Sequence, residues 1–173
     1  MCILIIVFVL TVFAYIAFRR GRPRTQKDFL RPIIQIQLLA EKTMPDDVIG
    51  SKFAYLLGNH SREEFVVVFK VILYRLFLYS EALRWRSQEI YALHIDAYKQ
   101  FQPGSYPLLE EVDKYLIQKY PDGIEGSSAA ERKHNLVICL SDFAARYLTS
   151  GCFTSDAEPL SKHFQKRLQE SGI

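Results

Sequence analysis

Seventeen consecutive residues, Cys2 to Phe18, carry no charge, and only Thr11 and Tyr15 among them bear a hydroxyl. A helix rising about 1.5 Å per residue covers roughly 25 Å over such a run, close to the thickness of a bilayer's hydrocarbon core. A soluble fold would have to bury that helix on every face, whereas a membrane covers it directly. The flanks separate an anchor from a cleaved leader. A signal peptide places its positive charge before the apolar segment and small residues after it, but here the cations follow, as Arg19, Arg20, Arg22 and Arg24. Residues 1–18 therefore read as a retained transmembrane signal anchor of a single-pass protein.

The next residues set its orientation. Between 19 and 31 stand Arg19, Arg20, Arg22, Arg24, Lys27 and Arg31 against Asp28 alone, so the formal net charge of +3 is local and the rest of the chain is slightly acidic. Cations beside a membrane helix stay on the cytoplasmic side, each contributing on the order of 1 kcal/mol near an anionic leaflet. Residues 19–31 read as a basic juxtamembrane connector in which Arg19, Arg20, Arg22, Arg24 and Lys27 meet anionic lipid headgroups. Residues 32–173 read as a cytoplasmic domain; a bacterial inner membrane is the expected setting, with an organelle membrane of a eukaryote as the alternative. The basic cluster has no interleaved aromatics and leads into an acidic domain, which argues against a nucleic-acid partner.

Composition narrows the class of that domain. With 49% hydrophobic residues, 24% charged, and only 8 Gly and 7 Pro, the chain is neither disordered nor of low complexity. Roughly 140 residues suffice for one core. Three cysteines without paired spacing fit a reducing compartment better than a disulfide scaffold.

Helical periodicity and its punctuation run along the whole domain. After Pro32, IIQIQLLAEK reads as a first helix, and Pro45 with Asp46 and Asp47 opens a second that runs to Leu57. Ser61-Arg62-Glu63-Glu64 has the form of a capping box. It precedes the stretch Phe65 to Leu83, apolar almost all round but interrupted by Lys70 and Arg75. Those charges make a second membrane span costly, and the length after a capping box favours a buried central helix over a strand, although Val66-Val67-Val68 permits one. Ile90, Leu93, Ala97 and Phe101 define another stripe, Pro107 opens a helix with Leu108, Val112, Tyr115 and Leu116 on one face, and Ser128 to Glu131 forms a second capping box. A last helix begins near Pro159. With no period-two strand pairs and no repeats, the predicted fold is an all-α bundle of about six or seven helices.

Catalytic patterns are scarce. Glu131 and His134, three apart on a helix, could face one ion, but a di-iron bundle needs two such pairs and further carboxylates. His134, Cys139, Cys152 and His163 lack the two close pairs of a structural zinc site, and Cys139 between Ile138 and Leu140 reads as core. Cys152, in a turn, is the more exposed thiol. His94 and Asp96 diverge around their helix, and no nucleophile elbow, phosphate loop, HExxH or CxxC occurs. The sequence thus names no catalytic residue, metal or cofactor.

Two surface features suit partners instead. Leu160, Phe164 and Leu168 form a narrow stripe on an otherwise charged terminal helix, fit either to pack on its own domain or to enter a partner's groove. Trp85, between Arg84 and Arg86, suits a tucked helix end, a headgroup layer or a partner surface. The expected function is a non-enzymatic, membrane-anchored structural or docking subunit that contacts other protein subunits of a membrane complex through Leu160, Phe164, Leu168 and Trp85. The alternatives are a membrane-tethered helical enzyme or ligand sensor built on residues such as His94, Asp96 and Glu110, and a small immunity or inhibitor protein.

Overall fold

The computed structural model describes residues 26–43, 60–85, 88–149 and 157–173, which form six helices and no strand. These are α1 (Gln26–Thr43), α2 (Arg62–Trp85), α3 (Gln88–Phe101), α4 (Tyr106–Lys119), α5 (Ala129–Leu148) and α6 (Ala157–Glu170). Segment 1–18, read above as an anchor, the cations Arg19, Arg20, Arg22 and Arg24, and the helix expected over 45–57 all lie outside the described residues. No helix among the described residues is long and apolar enough to cross a membrane.

The near-continuous apolar run became the axle of the bundle. α2 packs against α1, α3, α4 and α5, and Phe65, Val68, Phe69, Val71, Ile72, Leu73, Tyr74, Leu76 and Leu78 are all buried along it. Four other helices therefore cover most of its surface, which is why its apolar pattern lacks a continuous polar side. The strand that its valines permit does not form. Its two interior cations have protein partners, Lys70 with Gln102 at 2.8 Å and Arg75 with Asp113 at 2.5 Å.

Local chemistry sets the helix starts. At α2, Ser61 N–H donates to Glu64 Oε2 at 2.8 Å while Glu64 N–H donates to Ser61 Oγ at 3.3 Å, the reciprocal capping box that the sequence announces. At α5, Ser128 Oγ accepts from Glu131 N–H at 3.1 Å, but the Glu131 carboxylate reaches one residue further back, to the N–H and hydroxyl of Ser127. The loop before α5 turns at Gly126, where φ is +147° and an added Cβ would lie 2.8 Å from Arg132 N. Arg132 closes the same turn by donating to Gly126 O at 2.9 Å.

Two sequence expectations need correction. Residues 26–31 are not connector but the first turns of α1, which runs through Pro32. A proline in a helix interior removes one backbone hydrogen bond and costs about 3 kcal/mol. Here Phe29, Ile33, Ile36 and Ala40 form one continuous buried face across it, packed on α2 and α3, and that burial offsets the loss. In α3 the buried face is turned by one residue from the predicted stripe: Leu93 is 48% exposed, whereas His94 and Tyr98 are buried. Tyr98 stacks on Tyr74 with ring centroids 4.3 Å apart, and its hydroxyl meets Ser105 Oγ at 2.9 Å. A large ring with a satisfied hydroxyl buries more area than a leucine, so the tyrosine takes the inner position.

Candidate functional site

The terminal stripe lies inside the domain. α6 makes its main contact with α5, and Leu160, Phe164 and Leu168 are buried there, Phe164 stacking on Phe69 of α2 at 5.9 Å. Ser161, on the same face, donates to Asp142 Oδ1 at 2.7 Å, and Asp142 Oδ2 accepts from Lys119 at 3.4 Å. The face that the sequence offers as a docking stripe is therefore occupied by the domain's own core. Trp85 is the last residue of α2, and its side chain lies outside the described residues.

The enzyme-like residues do not converge. His94 is buried edge-on between Phe29, at 4.8 Å, and Phe77, at 5.4 Å, and its backbone carbonyl accepts from the Tyr74 hydroxyl at 2.8 Å. Asp96 and Glu110 are exposed on the other side of α3 and on α4, around Tyr106. Partial desolvation first, and then the Glu110 carboxylate that its hydroxyl meets, raise the Tyr106 pKa, with Asp113 and Asp96 adding negative field. The neighbouring Arg75–Asp113 pair bridges α2 and α4, and the Arg75 guanidinium lies 5.9 Å from the Tyr91 ring centroid. The Arg75–Asp113 pair and the Tyr91 ring fasten α2, α3 and α4 together here.

The metal candidates resolve separately. Glu131 is held by Ser127, which lowers its pKa through those hydrogen bonds, while His134 borders a shallow crevice beside Lys133 and Ile173. Cys139 is buried in α5, and desolvation pushes its thiol up to about 11. Such a thiol is a packing group rather than a nucleophile or ligand. His163 sits against Phe164 on α6, and Cys152 lies outside the described residues. Among the described residues no three His, Cys, Asp or Glu side chains gather around a point that could hold a metal ion.

Two features that the sequence reading passed over remain. On the outer face of α1, Ile34 is 53% and Leu38 61% exposed, one turn apart, beside Arg31, Gln35 and Lys42. Between α1 and α2 lies a groove of about 360 Å³, lined by Gln37, Glu41, Arg62, Glu63, Val66, Val67 and Lys70. The signal for the groove was Lys70 itself, a cation in the middle of an apolar run.

No protein-family model matches the chain, and neither a curated protein nor a solved structure matches it closely enough to count as a relative.

Proposed function

We propose that the chain is a non-enzymatic subunit, tethered by residues 1–18 as a single-pass anchor, whose helical domain docks other proteins of a membrane-associated assembly from the cytoplasmic face of a bacterial inner membrane. The basic residues Arg19, Arg20, Arg22, Arg24 and Lys27 hold the domain close to anionic headgroups. The observation that carries the docking half is the pair Ile34 and Leu38, large apolar side chains kept at the surface of α1. That helix begins within the basic segment, at Gln26, so a protein docked there would lie close to the membrane. With the α6 stripe packed inward, α1 replaces it as the contact face.

The test begins in native membranes. The full chain should resist alkaline carbonate extraction, and a cysteine placed at exposed Lys166, in a background with Cys2→Ser and Cys152→Ser, should be labelled by an impermeant thiol reagent after membrane disruption but not before. Extraction by carbonate would remove the anchor; labelling of intact cells would reverse the topology.

A further inference from the structure

Lys70 presents a buried charge whose hydrogen-bonding capacity is only partly used. It is 9% exposed, and an ammonium carries three donors. Its acceptor among the described residues is Gln102 Oε1 at 2.8 Å. The Gln102 amide cannot simply swing away, because its Nε2 donates to Gln37 Oε1 at 3.3 Å, and Gln37 Nε2 in turn donates to Glu41 Oε1 at 3.2 Å. Glu41 stabilises the Lys70 charge through space, yet burial outweighs it and lowers the lysine's pKa. The ammonium therefore lines the groove with donors to spare.

We propose that the groove between α1 and α2 binds a small monocarboxylate with a short apolar tail. Its carboxylate accepts the remaining Lys70 N–H groups, and its tail lies along Val66 and Val67. The groove's volume, about 360 Å³, is at the small end of ligand sites. Glu41 and Glu63 disfavour a dianion, and Lys70 with Arg62 disfavours a cation. A bound carboxylate also favours the charged form of Lys70, making its amine less nucleophilic. This inference does not depend on the docking reading.

The full chain in nonionic detergent, titrated with sodium butyrate and in parallel with butan-1-amine, tests it. Butyrate should shift the side-chain amide resonances of Gln102 and Gln37 saturably, and the amine should not. Lys70→Met should weaken the butyrate response about tenfold or more, the expected effect of losing a charged hydrogen-bond donor. In the unmodified chain, butyrate should slow acylation of Lys70 relative to exposed Lys162, a readout that needs no variant to fold. No saturable shift with butyrate, equal shifts with both compounds, an unchanged response in Lys70→Met, or an unchanged Lys70 to Lys162 acylation ratio would each overturn the proposal.

Discussion

α6 and α1 are both amphipathic helices, yet their apolar residues are placed in opposite ways. α6 spends all three of its large apolar side chains on the core, leaving a surface of charges paired with each other, such as Lys162 with Glu158 at 2.6 Å. α1 buries Phe29, Ile33, Ile36 and Ala40 and still leaves Ile34 and Leu38 outside. A stripe at steps of three and four shows that a helix has a face to bury, not against what. On the docking proposal, it is the apolar residues left over after that face is filled, Ile34 and Leu38, that meet a partner.

The sharpest way to break this comparison is to truncate the buried member. Phe164→Ala should cost about 3 to 5 kcal/mol, because the ring is enclosed and its cavity cannot collapse fully. Ile34→Ser with Leu38→Ser should change stability by less than about 0.5 kcal/mol each. Chemical denaturation of the three forms measures both; equal losses would erase the distinction between the helices.

A smaller effect concerns the helix starts. Ser128→Ala should cost about 1 kcal/mol, since it strips the acceptor from Glu131 N–H, and Ser61→Ala a similar amount through the reciprocal box at α2. If Ser128→Ala cost nothing, the Ser127–Glu131 contacts would be carrying the α5 start by themselves.

The smallest effect lies in pH. The folded pKa of Lys70 is lowered, chiefly by burial, so the unfolded chain binds more protons in the window between that value and 10.5. Stability linked to Lys70 is therefore lowest while the group is charged in both states, and rises with pH through that window. Measured against Lys70→Met, in which this linkage is absent, the parent should gain stability on approach to pH 10.5. A constant difference between the two would mean that Lys70 is as well solvated folded as unfolded.

Much of the architecture was legible. Ser61–Glu64 and Ser128–Glu131 marked two starts because capping chemistry is local, and the long apolar run from Phe65, broken by Lys70 and Arg75, marked the central helix because an element with apolar residues almost all round has to be largely covered. Pro32 concealed the beginning of α1, since local propensity says stop while Phe29 and Ile33, four apart, say continue, and tertiary burial decided. His94 and Tyr98 were hidden for a related reason: periodicity counts aliphatic side chains and does not see that stacked rings with satisfied polar atoms can take the inner face. Which apolar residues stay at the surface was the least legible part. Whether Leu160, Phe164 and Leu168 or Ile34 and Leu38 face outward depends on which neighbours fill the core first.

The docking claim is tested most directly by a photo-reactive amino acid at position 38 of the full chain, irradiated in native membranes, with positions 117 and 164 treated alike. The account predicts a discrete protein adduct from position 38 and none from 164. Adducts from Ile117, an α4 side chain that is 66% exposed, with none from position 38 would contradict it.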